Sequence, residues 1–315
     1  MQRYVFTLFA AASLAAGSAV AQSFPAKAIH IITAEPGSGN DLLSRLIGQY
    51  SSGNLGQQVV VENRGVLSID AVQKAAPDGY TLLLYGSPIW LAPYLRSHVS
   101  YDPVRDFAPI TLTTMSPTVV VVHPSVQAQT VKDLIALAKA KPGALNYGTT
   151  GTGTPNHLAA ELFRAMAAIE MVRINYKSTS AALGDLMGGQ LHLSFHTIGS
   201  AVTHVKSGRL RALGVTGAQR SAALPELPTV AATGLPGYEA IATQAMFAPA
   251  KTPPAAIATL NREIVRVLHH PDTRARALGF GVEVVGSTPA ELDAAMKAEM
   301  AKMGKVIRDA GIRDE

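Results

Sequence analysis

Cysteine is absent from this chain of 315 residues, and charged residues make up only 16% of it. Without a thiol, the chain forms no disulfide, uses no cysteine nucleophile, holds no thiolate-bound metal and has no cysteine for a diacylglycerol anchor. Tryptophan occurs once, at Trp90. The hydrophobic fraction of 48% excludes a disordered chain and favours a folded protein long enough for two compact lobes.

Long apolar runs are also lacking after residue 21. The first 21 residues, MQRYVFTLFAAASLAAGSAVA, combine Arg3, a short apolar run and Ala19-Val20-Ala21, the small-x-small pattern of a signal-peptidase site. We predict a cleaved export signal and a periplasmic mature chain from near Gln22. A membrane anchor is the alternative, but the run is short and diluted by Ser and Gly. The net charge of +5 comes from scattered basic residues, which does not indicate a nucleic-acid or anionic-membrane surface.

Apolar runs of strand length alternate with helical patterns along the rest of the chain. The runs are AIHIITA, QVVVEN, YTLLLYG, TVVVVHP, LNYGTT, VRINY, LHLSFHT and LRALGVTG. This alternation predicts an α/β protein with mostly parallel sheets flanked by helices. Two extended segments, Thr118–Pro124 and Glu239–Ala250, are candidate hinge strands around the middle of the chain. We predict a signal peptide at 1–21, a discontinuous first lobe at 22–120 plus 245–315, and a second lobe at 121–244.

Helix starts are marked by capping residues. Thr130 with Asp133 and Thr288 with Glu291 have the spacing of capping boxes, and Pro289 suits a first helical turn. The helix that begins there presents one apolar face and ends at Gly311; the face consists of Leu292, Met296, Met300, Met303 and Ile307.

Two glycine-rich turns each follow a strand and open a helix. Such a turn exposes backbone N–H groups at the positive end of a helix dipole, which suits a carboxylate or a phosphate. The candidate ligand residues of the first turn are Glu35, Pro36, Gly37, Ser38, Gly39, Asn40 and Asp41. Those of the second, TTGTGTPNH, are Thr149, Thr150, Gly151, Thr154 and His157. A tight turn without a ligand is the alternative for each, and Asp41 and His157 also suit capping and packing roles.

Catalytic and cofactor motifs are sparse. GSGNDL and GTGTPN lack the third glycine of a dinucleotide fingerprint, and no G-K-[ST] marks a phosphate loop. Ser87, in Gly86-Ser87-Pro88, is not in a nucleophile elbow, so we interpret it as a turn residue or ligand donor. His269 and His270 suit a helix end better than a metal site. We predict no catalytic residue, no metal and no cofactor.

Longer motifs carry a resemblance to a known family. They are FPAKAIHIITAEPGSGNDLLSRLI, LGQQVVVENR, AAPDGYTLLLYGS, YDPVRDFAPITL, VVVVHPS, GTTGTGTPNHLAAELF, GRLRALGVTGAQRSAALPELPTVAATGLPGYEA and PAKTPPAAIATLNREI. In this order they resemble the substrate-binding proteins of tripartite tricarboxylate transporters, the Bug or TctC-like family. The resemblance covers essentially all of the chain after residue 21. It implies a type II-like periplasmic binding protein that closes two lobes around a small carboxylate, held by main-chain groups and waters, and delivers it to a membrane permease.

Departures from the family pattern concern specificity. Ala34 and Glu35 stand where the family commonly has an aromatic and a small residue or proline, so the pocket is expected to be larger and more negative. His196, in SFHTIGS, stands where the family often has an acid near the ligand. We expect Glu35 and His196 to face each other, with imidazolium favoured; a solvated carboxylate and a packed strand histidine are the alternatives. The stretch after Glu62-Asn63-Arg64 is about four residues shorter than usual, which opens the rim.

Three further candidates, Ser178, Thr179 and Trp90, complete the predicted site. Trp90 follows a strand end and is either a wall for an aromatic ligand or a core residue. Glu35 disfavours a bare polyanion, so we expect a mono- or dicarboxylate with an aromatic or amine-bearing body. The expected protein is a monomer that binds this acid and the permease subunits. An exported hydrolase using Ser87 or Ser38, and a partner that presents ligand to a sensor, remain alternatives.

Overall fold

Short apolar runs form the strands of this protein, as their alternation with helical patterns predicts. The computed structural model describes residues 24–36, 38–65, 67–279 and 281–314, so the predicted signal peptide lies outside the described residues. Within these ranges the strands are Ile29–Thr33 (β1), Val59–Asn63 (β2), Thr81–Gly86 (β3), Phe107–Val122 (β4), Asn146–Thr149 (β5), Val172–Asn175 (β6), Leu193–Thr197 (β7), Arg211–Val215 (β8), Ile241–Pro249 (β9) and Glu283–Val284 (β10).

Helices connect most of these strands. They are Gly39–Leu55 (α1), Leu67–Gln73 (α2), Pro88–Leu95 (α3), Val131–Ala140 (α4), Pro155–Ala167 (α5), Thr179–Met187 (α6), Ile198–Lys206 (α7), Val230–Thr233 (α8), Pro254–Leu268 (α9), Pro271–Gly279 (α10) and Pro289–Asp309 (α11). Across the four described ranges, none of the helices combines the length and apolarity needed to cross a bilayer.

Strand β4 joins two half-sheets. Its first part, Phe107–Pro117, pairs antiparallel with β9, whereas Thr118–Val122 pairs antiparallel with β7 and β8. The strand order is β2-β1-β3-β9-β4-β7-β5-β6, with β8 and β10 also paired to β4. Neighbouring strands among β1–β3, and among β5–β7, are parallel. We call the half with β1–β3 and β9 lobe 1 and the half with β5–β8 lobe 2. The pairing changes close to the predicted division at 120, and that division stays a prediction.

Strand directions bring the carboxyl ends of the two half-sheets towards each other. Strands β3 and β4 are both antiparallel to β9, so they run the same way, and β4 then continues into lobe 2 antiparallel to β7. The parallel strands of the two lobes therefore end on opposite sides of the same gap. Ligands of α/β proteins bind at the carboxyl ends of strands. Both glycine-rich turns lie at these ends.

Three apolar cores support this arrangement. One lies between the lobe 1 sheet and helices α1 and α9, around Leu84 and Ile264. A second lies between the lobe 2 sheet and helices α6 and α7, around Val121. The largest extends through both lobes, from Trp90 to Phe163, and includes α11. Because α11 packs against both α3 and α5, the lobes share one core on this face.

The helix-start signals are confirmed. Thr130 and Asp133 form a capping box at α4, and Thr288 and Glu291 form one at α11. Helix α11 ends at Asp309, just before Gly311 adopts a φ of 63°. Its apolar face is buried against the sheet as predicted, with Met300 partly buried at its edge.

Candidate functional site: two turns at facing strand ends

The first turn, between β1 and α1, presents unused backbone donors. The Oγ atom of Ser38 caps α1 by accepting the N–H of Asp41 at 3.2 Å. Within the described ranges, the N–H groups of Gly39 and Asn40 donate to no protein acceptor. A helix N-terminus with free N–H donors attracts an anion. Gly37 lies outside the described residues, and the rest of this turn has the geometry of an anion site.

Both carboxylates of this turn lie beside lobe 1 residues. Glu35 is exposed, and its Oε1 lies so close to Gly65 that a Cβ atom there would be 2.6 Å away. Burial raises the pKa of Tyr85, and the negative charge of Glu35 raises it further by a smaller amount. Asp41 is buried, lies 2.9 Å from Arg45 and accepts the side-chain amide of Asn63 at 2.9 Å. Asp41 therefore connects α1 to β2 through Asn63. Pro36, the neighbour of Glu35, is exposed.

Ser87 and Trp90 lie at the next strand end of lobe 1. The N–H of Ser87 donates to the carbonyl of Thr243 at 3.1 Å, and its hydroxyl makes no hydrogen bond within the described part of the chain. Trp90 is 1% exposed and packs edge-on against Phe247, with ring centroids 6.1 Å apart. Its Nε1 donates to Oε2 of Glu299 at 3.2 Å. Ser87 is thus available to a ligand, whereas Trp90 lies in the core.

The second turn, between β5 and α5, also presents unused backbone donors. The N–H groups of Thr150, Gly151 and Thr152 donate to no acceptor among the described residues. Gly151 and Gly153 have φ angles of 132° and 72°, which residues with a Cβ atom rarely adopt. Thr154 caps α5 and donates its hydroxyl to the carbonyl of Gly151 at 3.0 Å. Successive free N–H groups of this kind form an anion-binding concavity.

His157 holds this turn from the first turn of α5. It is 2% exposed, and its Nδ1 accepts the N–H of Gly153 at 3.1 Å. Since Nδ1 is an acceptor, the proton of the neutral ring lies on Nε2, which is 3.6 Å from Oε1 of Glu161. His157 therefore supports the turn from behind, which is the packing alternative considered for it.

Glu161 connects this support to strand β5. It accepts the hydroxyl of Tyr147, and Arg164 donates to its other oxygen at 2.6 Å. Burial alone would raise the pKa of Glu161, but the close contact with His157, the hydrogen bond from Tyr147 and the charge of Arg164 lower it overall. The carboxylate thus stays ionised and anchors the histidine.

Arg173, which the sequence analysis did not single out, also contacts this turn. From β6, its Nε donates to Oγ1 of Thr149 at 2.9 Å and its Nη2 donates to Oγ1 of Thr152 at 3.3 Å. The run VRIN gives no signal for such a role beyond one charge in an apolar strand. Gln244 was missed as well; it lies beside Gly39, where a Cβ atom would be 3.0 Å from its Nε2.

The remaining predicted residues lie at two other strand ends of lobe 2. Ser178 is exposed and caps α6 by accepting the N–H of Ala181 at 3.2 Å, and Thr179 is the first residue of that helix. His196 lies in β7, is 1% exposed and has no hydrogen-bond partner for either ring nitrogen among the described residues. Burial, with a smaller contribution from His204, lowers the pKa of His196 to about 4. The expected imidazolium is therefore not favoured in this structure, because no carboxylate offsets the burial.

The lobes touch beside the second turn. A Cβ atom on Gly153 would lie 2.6 Å from Cδ1 of Leu95 in α3. A cavity of about 400 Å³ opens there between the turn and Tyr85. A second cavity of about 230 Å³ includes Ser87, Thr243 and Glu299 from lobe 1 and the start of α5 from lobe 2.

The protein has two lobes that share one core, and free N–H donors lie at their facing strand ends. These features define the class of two-lobe solute-binding proteins. Comparison with known proteins is more specific. Residues 43–312 match the family model described as tripartite tricarboxylate transporter family receptor. The chain belongs to this family.

Individual relatives agree with this assignment. Protein BugT of Bordetella pertussis is 32% identical over 316 residues, covering 98% of this chain and 97% of its own. The solved structure of Rpa4515 from R. palustris with adipate is 32% identical, with a TM-score of 0.76, and covers 92% of this chain and 99% of its own. MatC from Rhodopseudomonas palustris with bound malate is 26% identical, with a TM-score of 0.71, and covers 90% of this chain and 100% of its own.

Proposed function

We propose that this protein is a periplasmic solute receptor that binds a small organic carboxylate between its lobes and delivers it to a tripartite tricarboxylate-type permease. The observation that carries the proposal is the pair of turns at facing strand ends, whose N–H groups at Gly39, Asn40, Thr150, Gly151 and Thr152 are unused in the described part of the chain. Fixed N–H donors bind an oxyanion without requiring a buried counter-charge.

The proposal includes an exported monomer that carries no cofactor. Two similar structures, which hold adipate and malate, support small dicarboxylates as first candidates. The family description supports a permease as the partner.

A hydrolase is less well supported by the candidate nucleophiles. Ser38 uses its oxygen to cap α1, and no histidine of the described ranges hydrogen-bonds to Ser38 or Ser87. A nucleophilic serine needs a base within hydrogen-bonding reach. Ser87 instead has the free hydroxyl and cavity position of a ligand donor.

A thermal-shift screen over adipate, malate, citrate, benzoate and nicotinate tests the proposal. A ligand present at 100 times its Kd stabilises the folded state by about 2.7 kcal/mol, which raises the melting temperature by several degrees. We expect at least one carboxylate to do so and its uncharged amide not to. A protein that responds to none of these acids, and to no wider set of organic acids, would contradict the proposal.

Gly39→Pro tests the first turn directly. Proline at the first helical position removes one N–H donor and fits the helix, so the variant should fold but bind the acid more weakly. Gly39→Ala is the matched control, because it adds the same Cβ atom beside Gln244 and keeps the N–H group. We expect a loss of about tenfold in affinity for the proline variant alone, as for one hydrogen bond to a charged group. Equal affinities of the two variants would remove Gly39 from the site.

A further inference from the structure

Arg173 gives the second turn a charge that the first turn lacks. Its guanidinium donates to the hydroxyls of Thr149 and Thr152, and these two residues flank the free N–H groups of Thr150 and Gly151. The contact comes from a neighbouring strand, β6, so the charge is fixed against the turn by the sheet. The turn therefore combines backbone donors with a full positive charge.

The charge of Arg173 is not neutralised by the protein. Arg164, in α5, lies 2.6 Å from Glu161, and Arg45, in α1, lies 2.9 Å from Asp41. Arg173 forms no ion pair with an Asp or Glu anywhere in the ranges that the structure describes. An arginine without an acidic partner, held beside unused N–H donors, favours an anion from outside the protein.

The first turn has the opposite character. Glu35 adds a negative charge there, and the ion pair of Asp41 with Arg45 adds no net charge. A ligand that spans the gap thus meets a cation at lobe 2 and an acid at lobe 1.

We propose that Arg173 is the specificity-determining residue that selects a carboxylate for the lobe 2 turn and so sets the orientation of the ligand. This inference rests on the proposed function and adds to it. The favoured ligands carry a full negative charge at one end, and an uncharged or amine-bearing body extends towards Glu35.

Titration calorimetry on acid and amide pairs provides the test. The probes are benzoate with benzamide, hexanoate with hexanamide and adipate with adipamide, because each pair differs in charge and hardly in size. We expect the acid-to-amide affinity ratio to fall at least about tenfold in Arg173→Gln and to be largely retained in Arg173→Lys, as for loss of a charge close to the ligand. Arg209→Gln, an exposed charge removal in lobe 2, should leave the ratio unchanged.

Thr152→Val tests whether Arg173 selects the charged ligand or only supports the turn. It removes one hydroxyl contact of Arg173 and leaves the charge. If Arg173 only supports the turn, Thr152→Val and Arg173→Gln should weaken acids and amides alike and leave their ratio unchanged, which would overturn the inference. If acids bind and the acid-to-amide affinity ratio is the same in the wild type and in Arg173→Gln, the inference is overturned too, while the proposed function stands. Failure of every acid to bind the wild type would overturn both.

Discussion

The hydrogen bond between His157 and Gly153 offers the sharpest test of how the second turn is held. His157→Leu has a side chain of similar size but cannot accept the buried N–H of Gly153 and loses the 3.6 Å contact of Nε2 with Glu161. His157→Asn can place its Oδ1 close to the position of Nδ1 and keep the acceptor. The two variants therefore differ mainly in one hydrogen bond to the turn.

The size of the effect follows from burial. His157 is 2% exposed and Glu161 is 4% exposed, so water cannot replace the lost partner easily. Leaving the buried N–H of Gly153 unsatisfied costs about 1–3 kcal/mol, and loss of the 3.6 Å contact with the buried Glu161 adds to this cost. We expect His157→Leu to lower the free energy of unfolding by roughly 2–4 kcal/mol, and His157→Asn by about half as much.

Urea unfolding and titration with the best acid from the screen measure both consequences. Because the turn carries free N–H donors, loss of its support should also lower affinity by about tenfold or more in His157→Leu, and less in His157→Asn. His123→Leu, which changes a histidine whose ring Nδ1 contacts Ser125, controls for the loss of an imidazole from lobe 2. If His157→Leu and His157→Asn are equally stable and bind equally, the hydrogen bond to Gly153 does not hold the turn.

Two further predictions concern buried titratable groups. Burial, partly offset by hydrogen bonds from Trp90 and Thr243, raises the pKa of Glu299 to about 7. Because the folded state then binds a proton more tightly than the unfolded state, Glu299 makes stability fall as pH rises from about 4.5 to 7, by on the order of 3 kcal/mol. Glu299→Gln should remove this part of the pH dependence in urea unfolding. The fluorescence emission of Trp90, the single tryptophan, should change with pH near 7 in the wild type but not in Glu299→Gln. His196→Leu should raise the free energy of unfolding by about 1–3 kcal/mol, because both ring nitrogens are buried without partners among the described residues. A loss of stability together with a loss of acid binding would instead mean that His196 contacts the ligand.

The strands and helix starts could be predicted because their signals are local. Val119–Val122 and Leu82–Leu84 are buried on both faces, which requires continuous apolar runs. The first part of β4 was not recognised as a strand, because Pro109 and Pro117 and a run of threonines interrupt the apolar pattern. The shorter hydrogen bonds of these hydroxyls go to distant partners, such as that of Thr111 to the carbonyl of Ser287 at 2.7 Å.

The two turns of the site could be predicted from the sequence, but the contacts of its side chains could not. Glycine spacing after a strand reports a backbone geometry, and that geometry supplies the free N–H groups at Thr150 and Gly151. The partners of a side chain depend on elements far away in sequence. Glu299 lies next to the apolar face of α11, and its partners, Trp90 from α3 and Thr243 from β9, come from elements far away in sequence.

The charge of the second lobe illustrates this difference. The sequence predicts that charge at His196, because imidazole stands where the family often has an acid. In the structure the ring is buried without a carboxylate, so burial keeps it neutral. Arg173, two strands away in the sheet, carries a guanidinium group and contacts the turn directly. Opposite charges on the two lobes are therefore still expected, with Arg173 in place of His196, and affinity for a carboxylate should not depend on titration of His196.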